Sequence, residues 1–110
     1  MRELTPCVYI LASAYHGTLY VGVTSNLVGR LMQHRAGAFE GFTKRHGVLR
    51  LVYFETGESM RGAIRREKTL KKWPRDWKCN LIERGNPEWN DLGPSLGLPP
   101  LTEPNHRPKP

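Results

Sequence analysis

The chain has 110 residues, with 17 Lys plus Arg against 10 Asp plus Glu, which gives a formal charge of +7 at pH 7. This length suits one domain, and the positive surplus favours a polyanionic partner, most simply nucleic acid. No apolar run approaches the roughly 18 residues of a membrane span, and the first residues lack a signal-peptide layout. We therefore expect a cytoplasmic protein that does not bind membranes.

A β-hairpin is predicted first. Residues 7–12 alternate and contain Val, Tyr and Ile, and Leu19–Val23 runs back after a glycine-containing turn. With a side-chain period of two, Tyr9 and Tyr20 share the face opposite the aliphatic residues. Gly22 beside Tyr20 leaves that face without a side chain, which predicts space for a ligand.

Two helix caps and a hydrophobic run define the elements that follow. Thr24-Ser25-Asn26 and Glu58-Ser59 supply capping groups, and Pro74 ends the second capped helix. The dense hydrophobicity of the third strand indicates a central position in the sheet. The predicted elements after the hairpin are a helix at 27–35, a loop at 36–47, a strand at 49–55, and helices at 60–73 and 76–83.

The order β-β-α-β-α-α predicts the α+β class, with a small three-stranded antiparallel sheet flanked by helices in residues 1–92. Six of the nine prolines follow residue 93. Such a composition predicts an extended or disordered tail over residues 93–110. Cys7 and Cys79, in a predicted strand and helix, are expected to be buried free thiols rather than a disulfide.

Glu67 is the most informative single position, since it falls on the apolar face of helix 60–73 between Ala63 and Leu70. A carboxylate on such a face is costly unless it is paired or bound to a metal. The two interpretations are a salt bridge to a neighbouring cation and a single divalent ion. Mg²⁺ or Mn²⁺ suits the second, because Mg²⁺ commonly takes one or two carboxylates with waters and phosphate oxygens.

Arg30 and His34 lie four residues apart and therefore project from the same side of helix 27–35. Arginine offers a rigid fork of donors for phosphate oxygens, and histidine can accept or relay a proton near neutral pH. A tyrosine acts as a base only when a cation or metal lowers its pKa. For the three tryptophans, core packing is favoured over stacking on bases.

Taken in order, these motifs resemble the GIY-YIG nuclease superfamily in its compact single-domain bacterial form. The resemblance covers about residues 5–92, and it is carried by the order and spacing of the motifs together. The motifs are VYI at 8–10, YVG at 20–22, Arg30 with His34, AIRREK at 63–68, LKKW at 70–73, Lys78, LIE at 81–83 and NPEW at 86–89.

The resemblance implies metal-dependent hydrolysis of phosphodiesters. In that reading Tyr9 or Tyr20, alone or with His34, helps to deprotonate the attacking water. Arg30 stabilises the pentavalent transition state, and Glu67 binds one divalent ion.

The family often completes its site with an asparagine, and Asn80 and Asn86 compete for that place, with Asn80 favoured. Substrate contacts are expected from Gly22, Lys44, Arg65 and Lys71. The wider set of cations predicted to grip phosphates comprises Arg35, Lys44, Arg45, Arg61, Arg65, Lys68, Lys71 and Lys72.

The function predicted first is therefore a metal-dependent endonuclease with little sequence specificity, acting on nucleic acid and in the first place on DNA. Two alternatives stay open. One is a non-catalytic nucleic-acid-binding module that keeps the scaffold and the basic surface. The other is a nuclease subunit whose substrate is chosen by a partner protein.

Overall fold

Three strands pair into one antiparallel sheet in the computed structural model, which describes residues 4–37 and 46–101. The order β-β-α-β-α-α and the α+β class confirm the sequence prediction. A short 3₁₀ helix follows at Pro94–Leu96. The elements are β1 (Cys7–Ala12), β2 (Leu19–Thr24), α1 (Leu27–Arg35), β3 (Arg50–Thr56), α2 (Met60–Lys72) and α3 (Arg75–Gly85).

The strand order is β2-β1-β3, so β1 is the central strand and all six of its residues are buried. The prediction that the third strand is central was wrong, because β3 lies at an edge. Its hydrophobic density has another cause. Leu51 and Val52 belong to different core clusters, so β3 is covered on both faces.

Side-chain caps fix where the first two helices begin. The Asn26 side-chain oxygen accepts a hydrogen bond from the Gly29 amide at 3.1 Å, and Ser59 Oγ accepts one from the Gly62 amide at 3.0 Å. Both caps lie where the sequence predicted them. Two residues, Ser25 and Asn26, therefore separate β2 from α1, and Leu31 of α1 packs with Tyr9 on the sheet face that carries the tyrosines.

Each face of the sheet has its own core. On one face, Val8 and Ile10 pack with Ala63 and Leu70 of α2 and with the fully buried Trp89. On the other face lie Tyr9, Leu11, Leu31, Val48, Leu51 and Leu98. The two clusters together leave neither face of β1 open to solvent.

The chain after residue 92 differs from the predicted extended or disordered tail. Residues 94–96 form the 3₁₀ helix, and Leu98 is buried in the core cluster that contains Tyr9. The reason is that Leu96 and Leu98, which lie between Pro94 and Pro99, pack on the apolar cluster around Tyr9 and Leu51. Residues 102–110 lie outside the described part of the chain.

Both cysteines are buried free thiols, as predicted. No helix within residues 4–37 or 46–101 combines the length and the apolar character needed to cross a bilayer.

Candidate active site

Four side chains that the sequence singled out meet on one face of the hairpin. The Tyr9 hydroxyl lies 3.2 Å from His34 Nε2. The ring centroids of Tyr9 and Tyr20 are 6.4 Å apart, and those of Tyr20 and His34 are 5.7 Å apart. Arg30 acts on Tyr9 through its charge and a side-chain hydrogen bond. The predicted sharing of one face by both tyrosines is therefore confirmed.

Tyr9 is completely buried, and this decides what its phenol can do. Burial, followed by the neighbouring Tyr20, raises the pKa of Tyr9 to about 12, although the Arg30 charge opposes the rise. The phenol therefore stays protonated at neutral pH. The Tyr9 hydroxyl has no contact with solvent in this structure and contacts His34 Nε2 instead.

His34 is also buried, with 6 % of its surface exposed. Burial lowers the pKa of His34 below its usual 6.5, and the Arg30 charge lowers it further. The imidazole is therefore neutral at pH 7 and keeps a nitrogen lone pair that can accept a proton. Tyr20, which is partly exposed, is the aromatic residue of this group that reaches solvent.

The space beside the Gly22 backbone is occupied by a side chain of the protein itself. Gly22 pairs with Tyr9 across the strands, and the Tyr9 ring crosses the position of the missing side chain. A Cβ placed on Gly22 would lie 2.4 Å from both Cζ and the hydroxyl oxygen of Tyr9. The expected space for a substrate is thus occupied, and the role of Gly22 is to admit the tyrosine ring.

Glu67 lies on the buried side of α2, as the helical spacing predicted, with 8 % exposure. One turn to either side, Ala63 and Leu70 pack in the core on the sheet face opposite the tyrosines. The Glu67 carboxylate meets Lys71 Nζ at 2.6 Å, a one-turn ion pair. Within the described residues, its polar contact is with this lysine and not with the tyrosine-bearing face.

No three His, Cys, Asp or Glu side chains cluster as metal ligands in the part of the chain that the structure describes. Glu67 supplies one carboxylate on its own. This donor set fits Mg²⁺ or Mn²⁺ held by one carboxylate, waters and phosphate oxygens, with Lys71 displaced from the carboxylate or shared with it. It does not fit an ion that requires several protein ligands.

The remaining predicted residues have mixed outcomes. Asn86 is a buried structural group, since its side chain donates to the carbonyls of Val52 at 3.1 Å and Asn90 at 2.9 Å. Asn80 is exposed on α3, and Arg65 is exposed on α2. Lys44 falls outside the described residues.

Sequence reasoning assigned Arg35 to phosphate binding and missed its actual contacts. Its guanidinium donates to Asp91 at 2.7 Å and to the Leu49 carbonyl at 3.3 Å, and only 13 % of the side chain is exposed. Asp91 Oδ1 also accepts the Leu51 and Gly93 amides, each at 3.1 Å. Arg35 and Asp91 are 56 residues apart, so no local sequence signal could have paired them.

Residues 5–80 match the family model described as the GIY-YIG catalytic domain. The chain belongs to the GIY-YIG family. This confirms the resemblance found in the sequence, and it places the domain in a family of nucleases. The matched residues include Glu67 and the four side chains that meet on one face of the hairpin, which we call the Tyr9 group: Tyr9, Tyr20, Arg30 and His34. Asp91 and the segment packed after it lie beyond the match.

Curated relatives of this GIY-YIG domain are of similar length. A UPF0213 protein from Syntrophus aciditrophicus is 39 % identical over 82 residues, which are 74 % of this chain and 92 % of the relative. A UPF0213 protein from Clostridium perfringens is 41 % identical over 75 residues, 68 % of this chain and 80 % of the relative. A solution structure of a UPF0213 protein from Bacillus halodurans is 26 % identical, covers 89 % of this chain and 100 % of its own, and has a TM-score of 0.47.

Proposed function

We propose that this chain is a divalent-metal-dependent endonuclease that hydrolyses phosphodiester bonds of nucleic acid, in the first place DNA, with little sequence specificity. The observation that carries the proposal is the contact group of Tyr9, Tyr20, Arg30 and His34 on one sheet face. It combines a neutral imidazole that can accept a proton, a partly exposed phenol that can hold a water molecule and a guanidinium that can bind phosphate oxygens.

In this mechanism Tyr20 and His34 together bind the attacking water and remove its proton. Tyr20 reaches solvent and holds the water by a hydrogen bond, while neutral His34 accepts the proton. Tyr9 keeps the His34 ring in place through the contact at 3.2 Å. Tyr9 is therefore a positioning residue in this mechanism. Of the two tyrosines that the sequence offered for activating the water, Tyr20 is the one proposed to contact it.

Arg30 supplies the positive charge for the phosphate. As a bond to the attacking oxygen forms, negative charge builds on the phosphate oxygens, and a guanidinium fork can bind two of them at once. Burial lowers the pKa of His34, and the same Arg30 charge lowers it further. Arg30 therefore has two functions in this mechanism, since it binds the substrate and it helps to keep the imidazole neutral.

Glu67 would hold a divalent ion beside the edge strand β2, because α2 packs on the face opposite the tyrosines but against the strand that carries Tyr20. When bound, Mg²⁺ or Mn²⁺ would neutralise charge on the phosphate and on the leaving oxygen. Lys71 pairs with Glu67 at 2.6 Å in this structure, and an ammonium displaced from the carboxylate by an ion would be close enough to pair with a nearby phosphate. Exposed cations such as Arg65 add affinity that does not depend on sequence.

The Glu67–Lys71 ion pair also favours a second candidate, a nucleic-acid-binding module without catalysis. A carboxylate that is permanently neutralised by its own helix needs no metal. In that case the basic surface alone would bind the backbone of the nucleic acid.

Cleavage assays separate the two candidates. Labelled single- and double-stranded DNA and RNA are incubated with wild-type protein in Mg²⁺, in Mn²⁺ and in EDTA, beside the Glu67→Gln variant. Glu88→Gln is the matched control, since it removes an exposed carboxylate outside the site. We expect cleavage that requires the metal, a loss on the order of 100-fold or more in Glu67→Gln, and an unchanged rate in Glu88→Gln.

Metal-dependent cutting that survives Glu67→Gln would remove Glu67 from the mechanism. Salt-sensitive binding with no cleavage in any metal would establish the binding module instead.

A further inference from the structure

The three tryptophans of the chain have different environments. Trp89 is fully buried and Trp73 is partly buried against the core, whereas Trp77 on α3 is 55 % exposed. Packing therefore accounts for the first two. More than half of the Trp77 residue is exposed and adds nothing to the core, although a buried indole contributes more apolar area to a core than most side chains.

Trp77 is held in place while it remains exposed. Its ring meets Trp73 edge to face, with centroids 5.6 Å apart and an interplanar angle of 76°. Trp73 is itself covered by the Arg66 guanidinium at 5.3 Å from its ring centroid, and Arg66 is bound to Glu55 of β3 at 2.8 Å. The exposed indole is thus supported by a chain of contacts to the sheet, which reduces the entropy that a ligand must overcome to stack on it.

The surface around Trp77 is strongly positive. We call residues 71–78, where α2 ends and α3 begins, the tryptophan corner. Its charged side chains are four cations and one carboxylate, Asp76. Such a surface attracts a polyanion and repels a basic partner, and a purely apolar partner would have to desolvate its cations without compensation. The cations are Lys71, Lys72, Arg75 and Lys78.

Contacts connect this corner to the proposed metal ligand. Lys71 pairs with Glu67 through its ammonium, and its backbone carbonyl accepts a hydrogen bond from Lys78 Nζ at 3.4 Å. Arg75 donates to the carbonyls of His16 at 2.9 Å and Gly17 at 2.7 Å, which anchors the corner to the β1–β2 turn. A nucleic acid bound at Glu67 would therefore continue onto the corner.

We propose that Trp77 is a stacking platform for an unpaired nucleobase and that the tryptophan corner selects single-stranded over duplex nucleic acid. An indole face can stack on any base that is free of its own neighbours, whereas the bases of a duplex are already stacked and paired. The surrounding cations bind the backbone beside the stacked base. This inference rests on the proposed function, because it names the form of nucleic acid that the same site accepts.

Binding is measured in EDTA, so that the result does not depend on cleavage. A single-stranded DNA of about 12 nucleotides, within the range of known site sizes, and its blunt duplex are titrated with wild type, Trp77→Phe, Trp77→Ala and the control Ile64→Ala. Ile64 is an exposed aliphatic residue, 39 % accessible, on α2. Tryptophan fluorescence reports stacking, and anisotropy of the labelled strand reports affinity.

Single strands should quench wild-type fluorescence, and most of that quenching should disappear in Trp77→Phe. Trp77→Ala should bind single strands about 5- to 150-fold more weakly, the range for the loss of one stacked base. Trp77→Phe should recover part of the affinity. Duplex binding, and both forms of binding by Ile64→Ala, should remain unchanged, and all variants should keep the wild-type circular dichroism spectrum.

Equal affinity of Trp77→Ala and wild type for single strands, or an equal loss on duplex, would overturn this inference while metal-dependent cleavage by wild type stood. Absence of quenching in wild type would do the same and would assign the corner to another kind of partner. Failure of wild type to bind either form would overturn this inference together with the proposed function.

Discussion

Replacing Gly22 by alanine should displace the tyrosine that holds His34. The new Cβ would lie 2.4 Å from two atoms of the Tyr9 ring system, whereas carbon atoms approach favourably only to about 3.5–4.0 Å. The new Cβ and the Tyr9 ring must therefore move at least about 1 Å further apart. Tyr9 is completely buried, so its ring cannot move without moving its neighbours.

The size of the effect follows from these contacts. Overpacking a core costs about 1–3 kcal/mol, and we take the upper end because a rigid ring must shift. Alanine is favoured over glycine inside a strand by about 0.5–1 kcal/mol, which leaves a net destabilisation of about 2 kcal/mol. With a urea m-value of about 1–3 kcal/mol/M for a small protein, the unfolding midpoint of Gly22→Ala should fall by about 0.7–2 M.

Urea unfolding followed by circular dichroism measures this shift, and NMR of the imidazole protons reports on His34. Gly85→Ala is the matched control, because a Cβ there meets nothing within 4 Å. Gly85 ends α3, so alanine should leave the stability unchanged or raise it by up to about 1 kcal/mol. Wild-type stability in Gly22→Ala, with unchanged His34 signals, would refute the packing of Tyr9 across Gly22.

Three further predictions concern buried polar groups. Tyr9→Phe removes a hydrogen-bond partner of His34, so the free energy of unfolding should fall by about 1–3 kcal/mol in urea titrations. The pKa of His34 in the folded protein lies below 6.5, so burying the neutral imidazole adds stability that is present above pH 6.5 and is lost as the pH falls. His34→Gln should flatten this part of the pH dependence of the urea midpoint. An unchanged pH profile in His34→Gln would contradict the lowered pKa. Asp91→Ala leaves the Arg35 guanidinium without its carboxylate and should cost about 3 kcal/mol, since both side chains are largely buried; a cost below about 0.5 kcal/mol would show the pair to be solvated.

Local sequence patterns were sufficient to predict the helices and strands, and to predict which candidate site residues share a face of their element. The two-residue period put Tyr9 and Tyr20 on one face, and the four-residue spacing put Arg30 and His34 on one side of α1. Both relations depend only on backbone geometry within an element, which the sequence states directly. For the same reason helical spacing placed Glu67 on the buried side of α2.

Contacts between distant segments could not be predicted in this way. The burial of Tyr9 depends on how closely α1 packs on the sheet, and the role of Gly22 follows from that burial. The partnership of Arg35 with Asp91 and the packing of Leu98 require the chain to return across the sheet. A single sequence carries no local pattern for such pairs, and the proline-rich composition pointed to the opposite outcome for the segment around Leu98.

The roles of Lys71 and Tyr9 show how structure changed the chemistry that was expected. Lys71 was predicted to contact substrate, and in the structure its ammonium pairs with the Glu67 carboxylate, where it would compete with the proposed ion. Tyr9 was a candidate base, and its burial with a pKa of about 12 is the reason that the proposed mechanism gives it a positioning role instead. Sequence spacing placed these side chains on the correct faces of their elements, but their solvent exposure depends on tertiary packing.

The most direct test of the proposed nuclease is the rate of Mg²⁺-dependent strand cleavage by Arg30→Ala, compared with wild type and with Arg84→Ala. Arg84 is an exposed arginine at the end of α3, so it controls for the loss of one positive charge. The account predicts a loss on the order of 100- to 1,000-fold for Arg30→Ala, the range for removal of one transition-state donor, and an unchanged rate for Arg84→Ala. Equal rates in the two variants would contradict the placement of the reacting phosphate at the Tyr9 group.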